Sequence, residues 1–99
     1  MKINLDRLNE ITGGDESVNQ MLLGLFQKTY DRCLDRLKAI STDNSEAAKK
    51  DWHDTLHELK GAAANLGFDE LFEICKNFEA QQPTQEIKLE VIRIISELK

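Results

Sequence analysis

The chain has 99 residues, 40% of them hydrophobic and 31% charged, with a formal net charge of −5 and a pI near 5.0. That is the make-up of one compact domain with a single core. The acidic balance argues against a nucleic-acid partner, whose phosphates recruit clustered Lys and Arg, and no stretch approaches the roughly 18 consecutive apolar residues of a membrane span.

Residues Met1 to Glu10 alternate charged and apolar side chains, so they lack the apolar stretch of a signal peptide, and a cytoplasmic location is expected. A short helix carrying Leu5, Leu8 and Ile11 is predicted there, ended by Gly13 and Gly14, with Asp15 as the candidate cap of the next helix. From Asp15 to Ile40 the positions Val18, Met21, Leu22, Leu25, Phe26, Cys33, Leu34 and Leu37 recur at steps of three and four. This predicts a long amphipathic helix.

Ser41 to Ser45 reads as a polar turn, and Asp43 with Glu46 three residues later fits a capping box. The helix that follows runs to about Leu66, with a core stripe of Ala48, Trp52, Leu56, Leu59, Ala63 and Leu66, and Gly67 as its left-handed terminator. A shorter helix through Phe68, Leu71, Phe72, Cys75 and Phe78 breaks around Gln81, Gln82 and Pro83. In the last helix Ile87, Val91, Ile94, Ile95 and Leu98 form the buried face; their spacing outweighs the strand tendency of Ile and Val.

Cys33 and Cys75 are too far apart for a CxxC motif and lie within helical patterns, so both read as reduced core thiols. With one proline and five glycines in the whole chain, a single domain over residues 1–99 is expected. Its fold class is all-α: an antiparallel up-down four-helix bundle with a short additional N-terminal helix.

Helix phase isolates one residue in the third helix. At about 100° per residue, His57 falls roughly 150° from the centre of the Trp52, Leu59, Ala63 stripe and faces solvent. Lys60, Gly61 and Ala64 flank it on one side along that outward face, His53 and Asp54 on the other. Glycine inside a helix costs about 1 kcal/mol relative to alanine, and an exposed glycine gains no packing in return. At position 61 it clears the space beside the imidazole, where Lys60 adds a compact cation suited to phosphoryl oxygens. A neutral imidazole is a competent nucleophile and holds a phosphoryl group through nitrogen.

The run His57-Glu58-Leu59-Lys60-Gly61-Ala62-Ala63-Ala64-Asn65-Leu66-Gly67 resembles the signature of histidine phosphotransfer (HPt) domains. Ile11-Thr12-Gly13-Gly14-Asp15, followed by the Leu22 to Phe26 run, resembles their amino-terminal part, so the similarity covers most of the chain. Ala62, where relatives commonly have serine, and Leu56, where many have alanine, depart from the pattern without removing the nucleophile.

The resemblance implies that His57 accepts a phosphoryl group from a receiver-domain aspartate and passes it to another, with Lys60 supporting the group and Gly61 exposing the ring. It implies response-regulator receiver domains and a hybrid sensor histidine kinase as partners, met by a monomer through a surface that includes His53, Lys60, Gly61 and Ala64. A polar side chain on the following helix often orients the histidine in such domains. Counting without gaps puts Glu79 there, although helix phase, which turns His57 away from the core, does not bring the two together.

No P-loop, glycine-rich nucleotide loop or kinase motif is present, so the chain reads as a phosphocarrier without ATP-dependent kinase activity. Neutralising a transferring phosphoryl group normally takes a metal, and the resemblance implies that the partner brings it: Mg is expected on the receiver domain, and no metal in this chain. Two other readings stand beside this one. His53 and His57 have the spacing of two zinc ligands on one helix face, but lack the glutamate of HExxH and further ligands. A helical scaffold or dimerisation domain is compatible with the bundle and leaves Gly61 without a reason.

Overall fold

A computed structural model describes residues 3–98, so residues 1, 2 and 99, the ends of the expected domain, lie outside the described residues. The described residues form five helices and no strand: α1 (Leu5–Thr12), α2 (Glu16–Ala39), α3 (Glu46–Leu66), α4 (Asp69–Phe78) and α5 (Gln85–Glu97). Four starts are fixed by side-chain caps, each accepting a hydrogen bond from a first-turn backbone N–H: Asn4 from Arg7, Asp15 from Val18, Ser45 from Ala48 and Thr84 from Ile87.

The cap of α3 corrects the sequence expectation. Asp43 does not cap the helix; its carboxylate accepts from the Ser45 N–H and shapes the turn, while Ser45 takes the cap two residues later. Glu46 is then the first helical residue rather than the third, so no capping box forms. Asn44, with φ of 64°, supplies the left-handed step between them, a conformation Asn tolerates.

Helix α2 packs on α3, α3 on α4, α4 on α5 and α5 back on α2, so the four helices close a ring around one core, with α1 set against α2 and α3. All six stripe residues of α3, from Ala48 to Leu66, are buried, and Cys33, Leu37, Leu71, Cys75, Val91 and Ile95 meet them from the other helices. Burying each large aliphatic side chain contributes about 1.5–3 kcal/mol. Tyr30 is fully buried in the same core, and its hydroxyl donates to the Ile95 carbonyl at 2.7 Å, tying α2 to α5.

Several apolar positions fall elsewhere than periodicity put them. Met21 (58% exposed) and Leu25 (53% exposed) on α2 are not core residues, and Leu5 and Ile11 of α1 are also exposed, leaving Leu8 as the anchor of that helix. On α5, Ile92 packs against the core beside Ile87 and Leu98, while Ile94 is only half-buried. The run Met21, Leu22, Leu23, Leu25, Phe26 wraps around the helix at 100° per step, wider than one buried stripe, so part of it must face out.

Gly67 ends α3 with φ of 78°, and a side chain there meets a second obstacle. A Cβ would stand 2.8 Å from the Asn4 carbonyl oxygen and 2.9 Å from its Cβ, because the Asn4 N–H donates to the Gly67 carbonyl at 2.7 Å. The terminator of α3 is also the docking point of the α1 cap.

Candidate functional site

Two anchors on α3 hold the C-terminal end of α4. The Trp52 indole N–H donates to the Phe78 carbonyl at 2.9 Å, and one turn before His57, His53 Nδ1 approaches the Glu79 carbonyl at 3.3 Å. They bring Glu79, the residue that ends α4, beside the outward face of α3.

His57 projects from that face with 63% of its side chain exposed, the direction helix phase predicts. Its Nδ1 lies 3.6 Å from Glu79 Oε2. Lys60, one turn on, donates from Nζ to Glu79 Oε1 at 2.7 Å, and both partners are largely buried, at 20% and 14% side-chain exposure. Burial works to raise the Glu79 carboxyl, but the Lys60 hydrogen bond and charge, aided by His57 and His53, outweigh it and hold the carboxyl below its ordinary value. Glu79 Oε2 is buried and accepts no hydrogen bond, which leaves it available to an imidazole N–H.

That arrangement fixes the chemistry of each ring edge. A carboxylate only accepts, so a proton on Nδ1 is favoured where His57 faces Glu79, and the lone pair then falls to Nε2. Gly61 is exposed, and a Cβ built there meets nothing within 4 Å, so no contact within the chain requires glycine at this place. Ala64 is half-buried on the next turn. The His53 ring stacks on that of His57, with centroids 5.6 Å apart and planes inclined by 13°.

On its other flank α3 is joined to α2 by Glu58, which accepts a bidentate pair from Arg32 and lies 3.5 Å from Arg36. Beyond Gly61 on this flank, Leu22, Leu25, Phe26 and Thr29 of α2 and Ala62, Asn65 and Leu66 of α3 line a mostly apolar groove of about 190 Å³. The sequence pattern put Leu25 on the buried face with Leu22, which does pack against the core, and did not show this groove; the over-wide apolar run of α2 was the available signal.

The structure therefore brings His53, His57, Lys60 and Glu79 together, with Gly61 and Ala64 on the adjoining surface. Among the described residues no group of three or more His, Cys, Asp or Glu side chains stands where it could hold a metal ion, and His53 with His57 supplies only two ligands. Cys33 and Cys75 are buried in the core, and burial raises both thiols, that of Cys75 to about 12. No helix among the described residues is long and apolar enough to cross a membrane.

Comparison with curated proteins and with solved structures finds no match. A family model described as the Hpt domain matches residues 21–99, which takes in the His57 face, Glu79 and most of all four longer helices. The chain belongs to the Hpt domain family of histidine phosphotransfer modules in phosphorelays.

Proposed function

We propose that this chain is a phosphorelay intermediate in which His57 Nε2 takes a phosphoryl group from the aspartyl phosphate of one receiver domain and gives it to the aspartate of another. The observation that carries the reading is the His57 side chain itself, 63% exposed with Nδ1 3.6 Å from the Glu79 carboxylate, one turn from Gly61, where even an added Cβ would meet nothing within 4 Å. In the forward step the Nε2 lone pair attacks phosphorus, the bond to the aspartyl oxygen breaks, and the carboxylate leaves. Phosphorylation at Nε2 with a proton retained on Nδ1 makes the ring cationic, and Glu79 answers that charge. Reversal on a second receiver returns the pair of electrons to Nε2.

Lys60 has three N–H donors and uses one on Glu79, so two remain for the carried group. Glu79 orients the imidazole, a role that the sequence count alone left without geometric support. The chain acts as a carrier, with no kinase step of its own, and the Mg that neutralises a transferring phosphoryl group sits on the receiver. The receiver covers His57, Gly61 and Ala64 and extends over the groove of Leu22, Leu25 and Ala62, whose apolar lining continues from the cleared turn. A hybrid sensor kinase supplies the first receiver, the chain works as a cytoplasmic monomer, and α2 to α5 run alternately up and down.

The test is a two-receiver relay. A labelled phospho-receiver is mixed with the chain and a second receiver, and label is expected on the second only when the chain is present with His57 intact. Equal transfer by His57→Gln would contradict the reading.

A further inference from the structure

The Glu79 carboxylate carries an inference that rests on the phosphotransfer reading and deepens it. Its two oxygens have unequal partners. Oε1 accepts from Lys60 Nζ at 2.7 Å, while Oε2, buried and accepting no hydrogen bond, stands 3.6 Å from His57 Nδ1. The carboxylate is not free to turn away: its side chain is 14% exposed, Lys60 grips the other oxygen, and the Trp52 and His53 contacts hold the backbone at Phe78 and Glu79. A buried acceptor left unpaired is costly, and a cationic ring at His57 is the change that pairs it.

Once His57 is phosphorylated, the proton on Nδ1 decides how the group can leave. With that proton the phosphorylated ring is cationic and departs as neutral imidazole when the phosphorus–nitrogen bond breaks. Without it the same step must expel an imidazolate anion, a far poorer leaving group. We propose that Glu79 is the positioning residue for this proton, holding Nδ1–H on the phosphorylated ring at and above neutral pH so that His57 surrenders its phosphoryl group as a neutral imidazole. In the return step the phosphorus–nitrogen bond breaks, its electron pair stays on the ring nitrogen, phosphorus passes to the acceptor oxygen, and the Nδ1 proton remains in place.

The other charges around the ring do not duplicate this role. On α3, Asp54 is paired with Lys50 at 2.7 Å, and Glu58 turns to Arg32 and Arg36 of α2. Lys60 opposes the effect, since its cation draws on the same carboxylate and disfavours a second positive charge nearby. From α4, Cys75 lies within electrostatic reach of Lys60 and Glu79, but burial pushes its thiol up to about 12 and keeps it neutral. The α1 cap meets α3 at Gly67, beyond the site. His53 stacks on the His57 ring and is itself titratable, so its resonances are followed separately.

The experiment loads the chain with phosphoramidate, so that it does not depend on finding a partner. The His57 lone pair attacks phosphorus, the phosphorus–nitrogen bond of the reagent breaks, and ammonia leaves from its protonated nitrogen. Nitrogen-15 resonances of phosphorylated His57 are followed against pH in wild type and in Glu79→Gln, which keeps the shape of the side chain without its charge. The ring titration should fall by about half to one pH unit in the variant, the direction set by losing a nearby carboxylate and the size reduced by the exposure of the ring.

Loss of label to water is timed in parallel. Glu79→Gln should keep its label roughly 3- to 10-fold longer than wild type at about pH 9, the same shift read as a ratio of protonated rings. At about pH 5, where both rings are protonated, the two should lose it at the same rate. A side chain that only steers the ring would change the rate equally at both pH values. That result, or an unmoved titration, overturns the proton-holding role and leaves His57 as the carrier. Absence of label from His57 overturns the phosphotransfer reading as well.

Discussion

The Glu79 carboxylate at the end of α4 accepts a hydrogen bond at 2.7 Å from Lys60 Nζ on α3. That one contact sets the posture of the site. It holds the Lys60 ammonium at Glu79, one turn from His57, leaves the second carboxylate oxygen for His57 Nδ1, and keeps a largely buried charge neutralised.

Lys60→Ala should therefore weaken stability as well as phosphoryl support. Unpairing a largely buried carboxylate costs about 1 kcal/mol or somewhat more. The sign of the pH dependence follows from the lowered Glu79 carboxyl: its contribution is fully present above the ordinary carboxylate value and is lost as pH falls through the folded value. Urea unfolding should show wild type ahead of the variant at about pH 7 and the gap closing on acidification. A gap that is constant with pH would mean that Glu79 is not what Lys60 stabilises.

Gly61 gives a prediction with opposite signs for stability and activity. Since a Cβ there meets nothing within 4 Å, Gly61→Ala should raise stability by about 1 kcal/mol through helix propensity alone. Gly61→Gln should fold equally well yet slow phosphoryl transfer by crowding His57. Calorimetry and transfer kinetics on the same two variants check both halves; wild-type kinetics in Gly61→Gln would remove the clearance argument.

Gly67 behaves differently although it ends the same helix. Gly67→Ala adds a Cβ in a left-handed conformation and drives it against Asn4, which should cost about 1–3 kcal/mol. Thermal melts should show a clear loss, and an unchanged midpoint would show that the α1 cap yields freely.

The groove on the α2 flank is tested by Leu25→Asp. Leu25 is 53% exposed, so its replacement should leave the unfolding free energy within about 0.5 kcal/mol of wild type. It should weaken receiver binding several-fold, measured by titration calorimetry. Loss of stability without loss of binding would return Leu25 to the core, where its spacing alone had put it.

The contrast between Leu25 and Leu59 marks how far the sequence could be read. The α3 stripe was legible because one apolar residue per turn defines a single face, and everything opposite it, His57 included, must point outward. In α2 the apolar run is wider than one face, and periodicity cannot say which part a neighbour covers; Tyr30, left out of the stripe, is buried because its hydroxyl finds the Ile95 carbonyl across the core. The α3 cap was misread because Asp43 and Ser45 are both competent caps two residues apart. Glu79 could be counted to its place, but its approach to Lys60 and His57 depends on where Trp52 and His53 dock the end of α4, a tertiary relation that no local pattern encodes.

The most direct measurement is to locate the label. The chain is incubated with a radiolabelled phospho-receiver, digested, and its phosphopeptide tested for chemical lability. The account predicts acid-labile, alkali-stable label on His57, absent from a His57→Gln variant whose melting is nearly unchanged. Label at any other residue, or undiminished label in that variant, would contradict it.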